Sequence, residues 1–524
     1  MNHIKSLHIE GFKKFAQLDV LFNEYMNILV GENEAGKSTL LEAIKIVINQ
    51  QYRNVDKSFI KELFNVEMIH HFEESPSIQT LPYILIEMHM ELDYKEKSSE
   101  YFYGEVNRSE IEAFGITFEC KFDEELGSGL EKEIHEGEIP YEYYNLRWTT
   151  FAGHPYKMVK RPLNFLVIDT SNNDPNNAFN YFNRTLFQSI YSDRTRMSAK
   201  NTFRNLLVKV FDEISLPDID EKRKFGINDK KMILETVLSV YENSVTLENR
   251  GSGMESLIKT QIALNRKKSH LDVILLEEPE NHLSYSNLQK MLTEISSRQN
   301  ESQIIVTTHS NMITSRLNLK NVLWITTNKV QLLQNIDKEV ADFFVKADNN
   351  GFLQLLLSEK VLLVEGATEF LLLPQIYKQI LGRTLEQDKV GVISCNGISY
   401  KNYLEVARTT NKKVAVITDN DKTQAKIDEA AMFNKNCDTQ HIFLSNKLDE
   451  WTWEVCFYNL NKELLNSLIS VKKDAKYLFH NVEYEPVLGK MLNNKVETSY
   501  MMLKSGIDFE IPKYIKDAIL WLNK

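Results

Sequence analysis

Two pairs of carboxylates stand out in this 524-residue chain. In VLLVEGATEFLLL, Glu365 closes an apolar run and Glu369 follows four residues later in the first turn of a helix, so both side chains can reach one place. In VAVITDND, Asp419 and Asp421 close a second apolar run, two residues apart and so on one side of an extended chain. Hard oxygen ligands suit Mg2+ or Mn2+, and two such ions about 3.5–4 Å apart activate a water and stabilise the leaving oxygen of a phosphodiester. Either pair alone reads as loop or helix-capping acids; two pairs at two strand ends point to metal-dependent hydrolysis.

A second constellation handles phosphate. Gly31-Glu32-Asn33-Glu34-Ala35-Gly36-Lys37-Ser38 fits G-x-x-x-x-G-K-[ST] between a predicted strand and a predicted helix, and Thr39 adds a neighbouring hydroxyl. Glycines such as Gly36 let backbone N–H groups surround the phosphates, and the helix N-terminus favours their charge. Lys37 neutralises the outer phosphates, Ser38 can ligate Mg2+, and Asn33 completes the loop. Downstream, DVILLEEPENHL delivers Glu277 and Glu278 to a strand end, the first to organise Mg2+ and water, the second to polarise the attacking water. His309 ends the strand in VTTHSN, within reach of a γ-phosphate. Arg250-Gly251-Ser252-Gly253 offers Ser252 and a helix N-terminus to another phosphate. Taken singly, the acids read as a solvated turn, the histidine as an ordinary surface or core residue, and RGSG as a plain glycine turn.

The elements around these residues follow from periodicity. IKSLHIEGF, LDVLF and the buried strand MNILV lead into the phosphate loop and a long amphipathic helix; YILIEMHMELD and ITFECKFD alternate as antiparallel strands of a β-rich lobe. After the strand NFLVIDT and the Asn-rich SNNDPNNAFN comes mostly helical sequence to about residue 245; DVILLEE and QIIVTTHS then resume the nucleotide-binding domain. Asn349, Asn350 and Gly351 mark a break, after which KVLLVEG, KVGVISC and KKVAVITDND begin a second α/β domain. The expected division is 1–165 and 246–350 for the two parts of an ATPase domain, 166–245 for the helical insertion and 351–524 for the second domain.

Composition narrows the function classes. No apolar run approaches the ~20 residues of a membrane span, and the N-terminus lacks the pattern of a secretory signal, so a cytoplasmic protein without membrane partners is expected. Cys120, Cys395, Cys437 and Cys456 form no C-x-x-C pair, which excludes a disulfide framework and a zinc ribbon. A net charge of −11 excludes non-specific coating of nucleic acid but leaves room for a local basic groove. Arg184 to Lys209, with Arg194, Arg196, Lys200 and Arg204, is one candidate, a solvated helix face the other reading.

Phosphate loop, RGSG, EEPE strand and THS in that order resemble ABC-type ATPases of the DNA-repair kind, over roughly residues 1–345. The likeness implies two facing ATPase domains, with Ser252 acting in trans on a partner's ATP. The chain departs from that pattern in Glu277, where aspartate is usual, and in RGSGM, where LSGGQ is usual. Residues 358 to about 455 resemble the Toprim domain, and the likeness marks Glu454 in WTWE as a further metal-site acid. An ABC ATPase followed by a Rossmann-like Toprim domain resembles the OLD (overcoming lysogenization defect) nucleases, which include Gabija-type antiphage effectors. That resemblance implies ATP-regulated, metal-dependent nicking or cleavage of DNA by dimers or tetramers joined through the helical insertion. It also implies a lysine near the scissile phosphate, matched here by Lys495, for which an exposed, inert lysine is the other reading. A regulatory partner, helicase-like or a reverse-transcribed nucleic acid, is a further option. Two rival readings are an ATP-gated DNA clamp or sensor, weakened by the lack of long coiled-coil heptads, and a strand-passage enzyme, which needs a nucleophilic tyrosine that the sequence does not single out.

Overall fold

The computed structural model describes residues 1–524 except 51, 53–56, 157–160, 170–181, 185, 189, 215, 218, 220–221, 224, 229–232, 265–270, 299–300, 327–328, 347–350, 396–399 and 473–475. The Asn-rich segment 171–180 and the expected break at Asn349 and Asn350 lie outside the described residues. The chain forms two compact units, Met1–Leu317 with Asn321–Leu332, and Asn318–Lys320 with Leu333–Lys524.

Two six-stranded sheets build the first unit. One is antiparallel, running Phe15–Leu21, His3–Phe12, Ile84–Glu91, Ala113–Phe122, Tyr103–Gly104, with Tyr144–Thr150 also paired to Ala113–Phe122. Its edge strand Phe15–Leu21 comes closest to alternating buried and open positions, whereas the inner strands His3–Phe12, Ile84–Glu91 and Ala113–Phe122 are buried at most positions. The other runs Lys329–Leu332, Val322–Thr326, Met26–Val30, Gln303–Thr307, Val273–Glu277, Phe165–Asp169 and is parallel apart from its first strand. Met26–Val30, Val273–Glu277 and Gln303–Thr307 are buried at every position, the signature of a sheet covered on both faces. NFLVIDT is therefore the edge strand of this sheet, paired to Val273–Glu277.

Helix Lys37–Asn49 belongs to the same core, burying Leu40, Leu41, Ala43, Ile44, Ile46, Val47 and Ile48. Its last carbonyls, which lack intrahelical donors, are met by Trp148 Nε1 on Ile46 O (2.9 Å) and Tyr156 Oη on Ile48 O (3.0 Å). Buried Gln303 joins the two sheets by accepting from Ile4 N and donating to Ile4 O and Asn23 O. These ties anchor the far end of the helix and the amino ends of the strands whose carboxyl ends carry the phosphate loop and its partners.

Within 166–245 the described elements include most of strand Phe165–Asp169, helix Asp193–Glu213, a short helix Leu234–Val237 and a hairpin of Tyr241–Glu242 with Val245–Thr246. The long helix exposes Met197, Leu206, Val208 and Val210. Of its basic residues, Arg196 pairs with Asp193 and Lys200 with Glu235.

The second unit centres on a four-stranded parallel sheet in the order Val390–Ser394, Lys360–Val364, Lys413–Ile417, Gln440–Phe443. From Lys360–Val364 the chain first crosses to one neighbour and then to the other, so the carboxyl ends of Lys360–Val364 and Lys413–Ile417 form a topological switch point, where open α/β sheets place ligands. Helices Trp453–Leu460, Pro486–Asn493, Lys495–Ser505 and Lys513–Leu522 pack into the same core. Among the described residues, no helix is long and apolar enough to cross a membrane.

Candidate functional site

The phosphate loop leaves the buried strand Met26–Val30 and enters helix Lys37–Asn49 at Gly36. Gly36 has φ +103°, and a Cβ there would lie 2.3 Å from Phe15 Cζ, so only glycine fits. Buried Lys37 donates from Nζ to Gly31 O (2.8 Å) and Glu32 O (3.0 Å), folding the loop around its ammonium. Burial draws the Lys37 pKa down, and Glu278 and Glu280 act against it. Ser38 and Asn33 are exposed at the mouth and Thr39 is half-buried.

Opposite stand the acids of EEPE. Glu277 is the last residue of its strand, in register with Thr307, and its carboxylate takes Lys45 Nζ at 3.3 Å. Glu278 turns left-handed, φ +44°, with its N–H on Thr307 O (3.1 Å). A left-handed non-glycine residue costs about 1–3 kcal/mol, and such strain gathers at functional positions. Asn281 Nδ2 holds the Glu278 carboxylate at 2.8 Å, and His309 Nε2 lies 3.7 Å from its other oxygen. Glu280 accepts from Thr308 Oγ1 and from His309 N, both at 2.7 Å. Burial and Lys37 lower the His309 pKa, favouring the neutral ring. Lys37, Glu278, Glu280 and His309 thus act on one another. Ser252 sits exposed at the start of helix Ser252–Leu264, where Gly253 meets the His282 turn so closely that a Cβ would be 2.2 Å from His282 O. Glu280, Asn281 and Lys45 were not legible as site residues; the ENH after EEP was the only local signal. Glycines, helix N-terminus, lysine and acids together fit a nucleoside triphosphate with Mg2+.

In the second unit, Glu365 follows strand Lys360–Val364 and accepts from Thr418 Oγ1 (2.9 Å) and Asp419 N (3.0 Å). Asp419, just beyond Lys413–Ile417, accepts from Trp453 N at 2.9 Å. Glu369 is buried in the first turn of helix Ala367–Leu381, with Gly366 so near that a Cβ would be 3.2 Å from Glu369 Oε2. Glu454, 2% exposed, is paired with Lys495 Nζ at 3.0 Å. Burial, with Glu454 and Glu365 nearby, pushes the Glu369 carboxyl up to about 7. Burial, with Glu369, Glu454 and Glu365, holds Asp419 well above the usual carboxylate range. For Lys495 burial works against the charge, but Glu454, Asp419 and Glu369 outweigh it and raise the pKa.

Asp421 stands at the rim. The alternation that would align it with Asp419 needs extended backbone, whereas the strand ends at Ile417 and the chain turns left-handed at Asp421, φ +50°. Its carboxylate pairs with Lys426. Among the described residues, no three His, Cys, Asp or Glu side chains are closed into metal-ligand geometry. The donor set is nevertheless all oxygen, and its raised pKa values are what a divalent cation would reverse by returning the carboxyls to their charged form. Cys395 adjoins Glu365 and Glu369, but burial pushes its thiol up to about 12, which keeps it protonated. Burial likewise keeps the Tyr514 phenol, near Asp419 and Glu369, in its neutral form.

Known proteins match these two halves separately. Residues 356–421 match the family described as overcoming lysogenization defect protein-like, TOPRIM domain. Residues 6–209 match an AAA domain and 167–314 an AAA ATPase domain. The chain is 26% identical over 214 residues to the Old nuclease of Escherichia phage P2, covering 37% of this chain and 33% of that one. It is 36% identical over 45 residues to the DNA replication and repair protein RecF of Oceanobacillus iheyensis, covering 9% and 12%. It therefore spans between 12% and 33% of the length of these two relatives. Similar solved structures include the recombination mediator protein RecF with ATP (TM-score 0.36, 13% identity, 63% of this chain and 99% of that one). The SMC head domain from Thermotoga maritima is another (TM-score 0.30, 13% identity, 63% and 99%). The chain is an ATPase domain of the AAA/ABC kind fused to a C-terminal TOPRIM domain of the overcoming-lysogenization-defect type.

Proposed function

We propose that this chain is an ATP-regulated, divalent-metal-dependent DNA endonuclease that nicks or cleaves phosphodiester bonds, acting as a homodimer or tetramer in defence against phage. One observation carries the reading: Glu365, Glu369, Asp419 and Glu454 act on one another and on Lys495 at the switch point of a parallel sheet. Two buried acids raised in pKa, Glu369 and Asp419, close to further carboxylates and one cation are a poor structural choice and a good receptacle for charge.

A bound Mg2+ or Mn2+, held by Glu365, Glu369, Asp419 and Glu454 with Asp421 at the rim, would supply Lewis acidity toward phosphate and an activated water. The protein's own part is orientation. Thr418 and the Asp419 N–H aim Glu365, the Trp453 N–H aims Asp419, and Lys495 offers positive charge to a phosphate oxygen. In the first unit Lys37 takes the outer phosphates, Ser38 and Glu277 serve Mg2+, Glu278 polarises water from the position Asn281 gives it, and His309 meets the γ-phosphate.

Ser252 would complete the ATP site of a second copy, and the apolar residues exposed along Asp193–Glu213 support pairing of copies through that helix. The name of the phage P2 relative, Old nuclease, supports nuclease activity. Antiphage action rests on the family resemblance; a cytoplasmic location is proposed with it, and control by a helicase-like protein or a reverse-transcribed nucleic acid is a further option.

Supercoiled and linear DNA incubated with wild type and Asp419→Ala, in Mg2+ or Mn2+, with and without ATP, tests the proposal. Nicking or linearisation that disappears in Asp419→Ala and in EDTA is expected. An active wild type matched by Asp419→Ala would sink the assignment, and intact DNA in every lane would favour an ATP-gated clamp.

A further inference from the structure

Beside the carboxylate cluster, a strained turn presents a lysine to a tryptophan. Asp421 and Lys422 are consecutive left-handed residues, φ +50° and +59°. Neither is glycine, and a left-handed conformation is strained for a residue with a Cβ, so the surroundings must impose the turn. Buried Asn420 does so. Its Nδ2 donates to the carbonyls of Ser445 (2.9 Å), Lys447 (2.9 Å) and Glu450 (3.2 Å), and its Oδ1 accepts from Lys422 N (2.9 Å). The Asp421 N–H adds a bond to Trp451 O at 3.2 Å. The result is an exposed Lys422 ammonium 4.5 Å from the centroid of the Trp451 ring.

Trp451 is half-buried. Phe479 backs it in a stacked arrangement (centroids 6.0 Å apart, 29° between planes) and Tyr484 lies 6.5 Å away. Phe479 carries exposed His480 edge-on at 4.2 Å, at the tip of a hairpin whose Leu478 and Val482 are 50% and 52% exposed. Two residues beyond Trp451, the Trp453 N–H holds Asp419. The aromatic shelf and the metal-site acid are therefore fixed by one short loop.

We propose that Lys422 and Trp451 form a nucleotide subsite of the cleavage centre, in which Lys422 holds a phosphate of the substrate strand and the Trp451 ring stacks an unpaired base. The proposal rests on the nuclease reading of the adjoining carboxylates and adds the substrate class: DNA with single-stranded character at the cut. A base inside a duplex is already stacked on both faces, so only a splayed base can use the ring; base–aromatic stacking contributes about 1–3 kcal/mol per base. The lysine over the ring is no obstacle. An exposed cation–π contact is weaker than a charge-assisted bond to phosphate, so a strand draws the ammonium off the ring as it arrives. A tryptophan that served packing alone would be satisfied by Phe479 and Tyr484 and would need neither the cation nor the strained turn. In a chain of net charge −11, a locally placed lysine also matters more for drawing in a polyanion.

The full-length chain decides this with labelled oligonucleotides, a single strand and the duplex of the same sequence, titrated in Ca2+ with gels confirming that both stay intact. Trp451→Ala should weaken single-strand binding about 5- to 100-fold and leave duplex binding within about 2-fold; Trp451→Phe should keep most of the affinity, and Lys422→Ala should weaken single-strand binding with a shallower salt dependence. Equal losses on both DNAs, unchanged single-strand binding, or a Trp451→Phe as weak as Trp451→Ala would overturn the subsite. Cleavage in Mn2+ by wild type against Asp419→Ala, read in parallel, tests the nuclease separately: no cutting alongside a Trp451-dependent single-strand preference removes the nuclease and keeps the stacking subsite.

Discussion

The phosphate loop and the carboxylate cluster solve the problem of binding charge in opposite ways. Around Gly36 and Lys37 the binding groups are backbone N–H groups, a helix N-terminus and one lysine, all within one short segment, and the lysine finds partners in its own loop at Gly31 O and Glu32 O. The carboxylate cluster is drawn from Glu365, Glu369, Asp419, Glu454 and Lys495, segments separated by up to 130 residues, and its members burden one another. A site made of backbone can be nearly complete before its ligand arrives. A site made of buried like charges is strained until a cation enters it.

Four expected outcomes probe that contrast. The largest concerns independence: Asp419→Ala or Glu365→Ala should lower DNA cutting by about 10^3-fold or more while ATP binding, measured by calorimetry, stays as in wild type. Lys37→Ala should abolish ATP binding and leave Mn2+ binding intact. Loss of ATP binding in Asp419→Ala would show that the two sites are not separable. Next, Lys495→Ala should cost about 10–100-fold in cutting, because it removes the cation beside Glu454 and leaves that buried carboxylate without its partner; activity equal to wild type would make Lys495 an inert surface residue.

Smaller effects concern stability. Gly36→Ala should cost about 1–3 kcal/mol by forcing a side chain into Phe15 at a left-handed position, visible as a lower Tm. The metal-free protein should respond to pH through Glu369. Its folded carboxyl, at about 7, binds a proton more tightly than the unfolded reference of 4.5. That stabilisation is complete below about 4.5 and is lost as pH rises through about 7, a decrease of about 1–3 kcal/mol that Glu369→Gln should reduce, with Asp419, also raised, acting in the same direction. A Tm that is flat over this range, or falls equally in Glu369→Gln, would mean the carboxylate is not burdened by its neighbours.

Legibility followed the same division. The strands MNILV, VILLE and QIIVT and their chemistry-bearing ends were readable because a buried parallel strand is a short apolar run and its ligands come directly after it. Glu280 and Asn281 were not, since their value lies in bonds to Thr308, His309 and Glu278 that no spacing encodes. Period-two spacing put Asp421 beside Asp419, and it failed there because Asn420 ties the turn to three distant carbonyls and bends the chain left-handed. NFLVIDT gave a strand but not its place, because an edge strand is assigned by its neighbour, here Val273–Glu277.

What the amino-acid order determined alone is whatever a local segment can express: a glycine-lysine loop between strand and helix, acids at the ends of apolar runs, and the passage from one α/β domain to another. Only the tertiary structure decided which acids share a field, that Glu454 and Lys495 are paired, and that Lys422 is set on Trp451. Burial and through-space charge depend on what surrounds a side chain, and those surroundings come from residues far away along the chain.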